Sequence, residues 1–139
     1  YEALANQESI FKEQAHRINR LVGKVDVIVT DSPILFSEIY GENNSNDFRA
    51  RIWDEHNSHD NFNLFINRGS TFEQRGRIHN LEESKEKDNE IKQMLDENSV
   101  YYGNYYHRTV PVIIDNIVKT LHRIQAYTEQ DEDDEEMEL

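Results

Sequence analysis

Apolar positions recur at steps of three and four residues near the start of the chain, as they do on one face of a helix. The positions that follow this spacing are Leu4, Glu8, Phe11, Ala15, Ile18 and Val22, all of them apolar except Glu8. Charged residues, including Lys12 and Arg17, lie mostly between them. The pattern predicts an amphipathic helix that ends at Gly23.

A different pattern follows at residues 25–30, where four of the six residues are β-branched aliphatics. A continuous apolar run is typical of a parallel strand that helices cover on both faces. In open α/β sheets, ligands bind beyond the carboxyl ends of such strands, so Asp31 is expected where chemistry takes place. The alternative is an ordinary turn, because Asp31, Ser32 and Pro33 are also common turn residues.

Shorter apolar segments predict the middle of the fold. Residues 34–40 predict a short helix that begins after Ser32 and Pro33 and stops at Gly41. The polar residues 42–47 predict a loop, and the apolar residues that follow predict a helix that reaches toward Ser58. Residues 63–67 predict a second strand, which places Arg68 beyond its end as Asp31 lies beyond the first.

The second half of the chain continues the alternation of helices and strands. Asn80 and Glu83 have the spacing of a capping box at the start of a helix that runs through Leu95. Residues 99–102 predict a third strand, and Thr109 is expected to cap a final helix. The apolar face of that helix comprises Val110, Ile113, Ile114, Ile117, Leu121 and Ile124. The alternation predicts a parallel α/β fold.

The charge of the chain is concentrated at its C-terminus. The net charge is −13 over 139 residues, and residues 129–139 hold eight acidic residues and no basic one, which leaves −5 for residues 1–128. Like charges repel and bury little surface, so we expect one domain over 1–128 and a disordered acidic tail over 129–139. The tail either confers solubility, attracts a basic partner or weakly mimics the charge of nucleic acid. Direct binding of nucleic acid is not expected.

The composition also restricts the cellular compartment that we expect for the protein. The chain has no cysteine, which excludes disulfides and thiolate metal sites. No apolar run approaches the roughly 20 residues that span a bilayer, and no signal peptide is visible. We therefore expect a soluble, cytoplasmic protein without membrane contact. At this length, the chain is short for a complete nucleotide-binding α/β enzyme.

Residues 68–77 concentrate three arginines on a loop that also contains Gly69 and Gly76. The guanidinium group donates hydrogen bonds in pairs and keeps its charge, so Arg68, Arg75 and Arg77 suit a mobile clamp for phosphate. Phosphoryl transfer needs such positive charge over the group that moves. The alternative is a solvated basic loop that pairs with the acidic body of the chain.

Taken in order, these segments resemble phage-encoded P-loop nucleotide kinase-like proteins, a class often labelled AAA-family ATPases. Residues 7–17 are similar to the helix before the Walker B strand, residues 25–33 to that strand with its Asp-Ser-Pro ending, and residues 68–80 to the lid. The resemblance covers roughly residues 2–121. The glycine-rich phosphate loop is missing, and Gly23-Lys24 lacks the upstream glycine that the loop requires. Either the loop lies before Tyr1, or the protein has lost it.

The resemblance implies a three-layer α/β sandwich with a parallel sheet that lacks its first strand and phosphate loop. It implies transfer of phosphate from ATP to a nucleoside or nucleotide, with Mg²⁺ held by Asp31 through its water shell and supported by Ser32. Asp31 alternatively accepts the proton of the substrate hydroxyl. Arg68, Arg75 and Arg77 would neutralise the developing phosphate charge.

The resemblance also implies positions for the two ligands. Tyr40 and Trp53 lie where the acceptor nucleoside would bind, and Tyr105 and His107, with Arg75 and Arg77, lie where ATP would bind. Ordinary core packing is the favoured alternative for Tyr40 and Trp53, and a strand edge with a packed turn is favoured for the tyrosine cluster at residues 101–107. His56 and His59 are three residues apart, but without a third ligand solvated histidines are favoured over a metal site.

A second class of function stands beside the kinase interpretation. The missing phosphate loop favours a non-catalytic interaction protein that engages or inhibits a host factor through a kinase-like scaffold and its acidic tail. A strand and glycine-rich loop encoded upstream of Tyr1 would favour the enzyme, and their absence would favour the interaction protein.

Overall fold

The computed structural model of the protein describes residues 6–67 and 80–138, and these residues are mostly helical. The predicted lid at 68–80 therefore lies outside the described residues except for Asn80. The elements, in chain order, are α1 (Gln7–Asn19), α2 (Phe36–Tyr40), α3 (Asn46–Asn57), β1 (Leu64–Asn67), α4 (Leu81–Glu97), β2 (Gly103–Tyr106), a 3₁₀ turn (His107–Thr109) and α5 (Val110–Glu138).

The described residues group into two compact units, and the expectation of one domain over 1–128 stays a prediction. The first unit contains residues 6–63 and 80–101, and it therefore holds helices α1 to α4. The second contains residues 64–67 and 102–138, and it holds β1, β2 and α5.

The core of the helical unit is centred on α3. Ile52 is fully buried, with 0% of its surface exposed, and Phe48 lies one turn before it on the same face. The ring of Phe48 meets the ring of Phe11 from α1 edge to face, with centroids 5.5 Å apart. The buried apolar side chains of this unit are Phe11, Ile34, Leu35, Phe48, Ile52, Met94 and Leu95.

Ion pairs connect the other faces of α3 to its neighbours. Arg51 donates to Glu8 of α1 at 2.6 Å, and this guanidinium lowers the pKa of the Glu8 carboxyl. Arg49 lies 2.6 Å from the Glu38 carboxylate of α2. Because such pairs are partly solvated, they orient the helices more than they stabilise them, and the buried apolar face of α3 dominates the energetics.

The predicted stop at Gly41 and the predicted capping box are confirmed, whereas the first helix ends at Asn19 and not at Gly23. α2 ends at Gly41, and α3 begins after Ser45, whose hydroxyl accepts from the Phe48 amide at 3.1 Å. α4 opens with the predicted capping box: Asn80 Oδ1 accepts from the Glu83 amide at 2.9 Å, and the Glu83 carboxylate accepts from the Asn80 amide at 3.3 Å.

The predicted three-layer α/β sandwich is wrong for the described residues, which contain a sheet of only two strands. β1 is confirmed, and it pairs in parallel with β2 in a register that runs from Leu64 opposite Gly103 to Asn67 opposite Tyr106. Residues 25–30 form no strand, and Val29 is 91% exposed. An apolar run becomes a strand only where a neighbour supplies hydrogen bonds and cover, and no described segment supplies them there.

The third predicted strand, at residues 99–102, is also wrong, because α4 ends in a turn that occupies these positions. The Val100 amide donates back to the Leu95 carbonyl at 2.9 Å, and the Ser99 amide donates to the Asp96 carbonyl at 3.2 Å. This pair of bonds is a Schellman motif, in which the chain reverses after a left-handed residue. The strand therefore begins later, at Gly103.

The final helix is longer than the sequence indicates. α5 begins at Val110, with Pro111 in its first turn as predicted, and continues to Glu138 through the run that we expected to be a disordered tail. We expected a disordered tail because an acidic run buries little surface, and residues 129–134 are exposed. Helical hydrogen bonds close between residues four apart along one chain, so an exposed acidic segment can continue a helix without burying side chains.

We predict that Ile52→Ala destabilises the helical unit by about 2–5 kcal/mol, because it leaves a cavity at the only fully buried large apolar position among the described residues. Urea denaturation followed by circular dichroism measures the change. Val29→Ala is the matched control, since Val29 is solvated and its truncation should cost less than about 0.5 kcal/mol. Equal denaturation midpoints for the two variants would contradict this account of the core.

Candidate functional site

The structure does not assemble the site that the sequence predicted around Asp31. Asp31 and Ser32 lie in an exposed bend, and the Ser32 amide donates to the Thr30 hydroxyl at 3.1 Å, which is a local turn contact. The prediction that Asp31 follows a buried strand is therefore wrong. Arg68, Arg75 and Arg77 lie outside the described residues, and their roles stay predictions.

The residues predicted to bind Mg²⁺ and ATP also give no common geometry. Within residues 6–67 and 80–138, no three acidic or histidine side chains converge as metal ligands would. Tyr105 is half-buried in β2, where its carbonyl accepts from Asn67 at 3.1 Å, and His107 is exposed in the 3₁₀ turn. Arg75 and Arg77 lie outside the described residues, so binding of Mg²⁺ and ATP stays a prediction.

The two predicted nucleoside-binding aromatics have different surroundings. Tyr40 packs edge to face on Phe36, with centroids 5.7 Å apart, and the Lys87 ammonium lies 5.3 Å from its ring centroid. Trp53 packs edge to face on His56, with centroids 5.9 Å apart, and also lines a cleft. Packing accounts for Tyr40, whereas Trp53 belongs to a candidate site.

The cleft lies within the helical unit and has a volume of about 530 Å³. Its walls come from the last turn of α3, the loop that follows α3, and the turn that ends α4. The lining residues are Trp53, His56, Asn57, Asn61, Asn63, Asn98, Ser99, Val100 and Tyr101. The volume is in the range of small-molecule sites, and no acidic residue, lysine or arginine lines it.

Three of the asparagine side chains are held in place by hydrogen bonds that their amide nitrogens donate to backbone carbonyls. Asn61 donates to the His56 carbonyl at 2.7 Å, Asn63 donates to the Tyr101 carbonyl at 3.3 Å, and Asn98 donates to a carbonyl of α4 at 2.8 Å. Because a backbone carbonyl can only accept, the donor in each pair is the NH₂ group. The amide oxygen of each side chain therefore keeps its capacity to accept hydrogen bonds.

Ser99 is held in an unusual backbone conformation at the edge of this cleft. Its φ angle is 54°, in the left-handed region that helix ends normally give to glycine. A side chain with a Cβ costs about 1–2 kcal/mol in that conformation. Among the described residues, one more non-glycine residue has a positive φ angle, namely Asn43 at 53°. Asn43 does not line the cleft.

His56 keeps the lining of the cleft uncharged near neutral pH. The side chain is buried on α3, and this burial, together with the nearby His59, lowers the pKa of the imidazole below its ordinary value of 6.5. Burial disfavours the charged form because the protein interior solvates an ion less well than water does. His59 itself lies 3.0 Å from the Glu55 carboxylate.

The chain was compared with protein families, curated proteins and solved structures, and none of the three comparisons gives a match. Across the described ranges 6–67 and 80–138, none of the helices combines the length and the apolar content that a bilayer crossing requires. The geometry of the described residues is therefore the basis for the functional argument.

Sequence reasoning missed the cleft but could have found one signal of it. Asn57, Asn61 and Asn63 follow one another within seven residues after Trp53 and His56. A group of neutral amides beside aromatic residues is a candidate for ligand binding, although the contribution of residues 98–101 depends on tertiary packing.

We predict that the protein loses stability as the pH falls from 7.5 to 5, in part through His56. The pKa of His56 is lower in the folded state than its unfolded value of 6.5, so the unfolded state binds more protons in this window. The free energy of unfolding therefore decreases as the pH is lowered. Urea midpoints at several pH values measure the effect. His56→Gln should flatten the dependence, and His16→Gln, at an exposed position, should not. A dependence that survives in His56→Gln would assign the effect to other groups.

Proposed function

We propose that this chain is a non-catalytic interaction protein that binds a basic protein partner along α5. The observation that carries the proposal is that α5, 29 residues long, presents an apolar stripe in which no side chain from Val110 to Asp134 is buried. A cytoplasmic location, expected from the sequence, belongs to the same proposal.

The stripe has the spacing of a helix that packs against another surface. Val110, Ile114, Ile117, Leu121 and Ile124 alternate steps of four and three residues. With this spacing the five residues form one line along the helix, here called the seam, which faces a partner over successive turns. The seam extends about 21 Å at 1.5 Å per residue, and Ile124 within it is 56% exposed. Val110, Ile117 and Leu121 are half-buried, and Ile114 and Ile124 are exposed. An apolar stripe that stays partly open to solvent favours an interaction site.

The negative charge of α5 favours a positively charged partner. Beyond the apolar stripe, residues 129–139 carry eight acidic residues and no basic one. Within the stripe region, by contrast, Lys119 pairs with Asp115 at 2.8 Å, so part of the charge there is already compensated. A partner with an apolar groove and a basic patch beyond it would match both features, since complementary charge steers association and fixes orientation.

A second copy of the chain fits α5 less well than a basic partner. Parallel copies with aligned stripes would bring two acidic runs together, and the repulsion would oppose association. Antiparallel copies with aligned stripes would place each acidic run beyond Val110 of the other copy. Residues 96–109 contain one arginine and no lysine, so they offer no basic block there.

Phosphate transfer from ATP stays a prediction from the resemblance. The predicted strand before Asp31 is wrong, and the described residues give no geometry for the reaction. No observation on the described residues favours it as a second candidate.

We predict that α5 binds a synthetic helical peptide with a leucine seam followed by six lysines. Isothermal titration of the full chain should give saturable binding that weakens as salt is added, because the lysines pair with residues 129–134. A peptide with the same seam followed by six glutamates should bind at least about tenfold more weakly. Equal affinity for both peptides would contradict charge selection.

The contribution of the stripe is tested in the same titration. Ile124→Asp should weaken binding of the lysine peptide about tenfold or more, because Ile124 is an exposed residue of the stripe and the variant replaces an apolar contact with the peptide by a charge. Val112→Asp is the matched control, since Val112 is 62% exposed and lies outside the seam. Sedimentation of the chain alone should give a monomer, and a stable dimer would replace the basic partner with a second copy.

A further inference from the structure

We propose that the cleft between the end of α3 and the end of α4 is a binding site for a neutral, polyhydroxylated ligand of the size of a mono- or disaccharide. The inference concerns the helical unit, whereas the proposed function rests on α5, so the two can fail separately.

The charge of the lining residues restricts the charge of the ligand that the cleft can bind. The nine residues that line the cleft include no acidic residue, lysine or arginine, and the lowered pKa of His56 keeps its imidazole neutral near pH 7. An ionised ligand loses solvation on binding and needs a countercharge or several charge-assisted hydrogen bonds to offset the loss. The lining therefore favours a neutral ligand over a phosphorylated or carboxylated one.

Hydrogen-bond capacity limits the ligand further. Asn61 donates both N–H groups of its amide to backbone carbonyls, and Asn63 and Asn98 each donate one. The three side chains therefore keep three oxygen acceptors and two N–H donors. A ligand whose groups both donate and accept fits this lining. Hydroxyl groups donate and accept in turn, so neighbouring hydroxyls on a sugar ring can satisfy these acceptors and also accept from Ser99. A heterocyclic base brings fewer donors and presents ring nitrogens that themselves need donors.

Aromatic side chains complete the cleft. Trp53 is half-buried, and its ring is positioned by the edge-to-face contact with His56. Tyr101 is 85% exposed, although it lines the same cleft. Aromatic rings combine an apolar face with a polar edge, and the C–H groups on one face of a sugar ring form an apolar surface that packs on such a ring. These two rings suit a ligand with hydroxyls around its rim and apolar faces.

The strained backbone at Ser99 is an independent observation at the same place. Glycine would adopt the left-handed turn without strain, and the Ser99 hydroxyl makes no hydrogen bond with the other described residues. Residues in sparsely populated backbone conformations cluster at ligand sites, although a left-handed residue also ends many helices. Ser99 thus supplies a hydroxyl at the edge of the cleft at the expense of stability.

The only tryptophan of the chain, Trp53, makes the test direct, because its fluorescence reports on this cleft alone. The full chain is titrated with glucose, galactose, mannose and N-acetylglucosamine, and with glucose 6-phosphate and adenosine for comparison. We expect a saturable change with at least one neutral sugar, with a Kd of about 1 mM or tighter, and none with glucose 6-phosphate. No response to any of the four sugars, or a saturable response to adenosine alone, would overturn the proposal.

A pair of variants separates a binding role of Ser99 from a structural one. Ser99→Gly should raise the urea midpoint, because it relieves the left-handed strain, and should weaken sugar binding about three- to tenfold, because it removes a hydrogen bond. Asn43→Gly is the matched control: it relaxes the other left-handed residue and should leave sugar affinity unchanged. If Ser99→Gly is more stable and binds the sugar as tightly as the native chain, Ser99 does not contact the ligand and the proposed site is wrong.

Discussion

The burial of Ile52 is the contact on which the helical unit depends. α3 places Phe48 and Ile52 on one face, and that face holds α1 through the Phe11–Phe48 ring contact. The same helix continues one turn further and places Trp53 and His56 at the cleft. A small unit has little apolar surface to bury, so one fully buried aliphatic side chain contributes a large share of its stability. The cleft therefore depends on the packing of the helix that forms its wall.

Helices and their ends were predictable because their signals are local. Asn80 and Gly41 act within one turn of the chain, and each lies at the boundary that the sequence indicated, whereas the helix capped by Ser45 begins inside the predicted loop 42–47. Strands were predictable only in part, because a strand requires a partner that can be far away in sequence. Residues 25–30 have the composition of a strand and β1 does as well, but only β1 has a neighbour among the described residues.

The candidate site was harder to predict than the fold, because it carries no charge. Sequence reasoning searched for chemistry at Asp31 and at the arginines of residues 68–77, since ionised groups in patterns indicate catalysis. A neutral cleft gives no such signal, and its two walls are separated by more than thirty residues along the chain. The turn at Ser99 was also hidden, because glycine is the usual mark of a left-handed helix end and this chain has serine there.

The two candidate surfaces differ in the physics of recognition, and this difference separates their functions. The recognition that we propose for α5 combines an apolar stripe with an acidic run, so its electrostatic part would act over a Debye length of about 10 Å at 0.1 M salt and decline as salt is added. The cleft has no charged residue in its lining, so its hydrogen bonds and ring contacts act only at short range and are insensitive to salt. Rising ionic strength should therefore release a basic partner from α5 while a neutral ligand stays bound, which means that one chain can use the two surfaces independently.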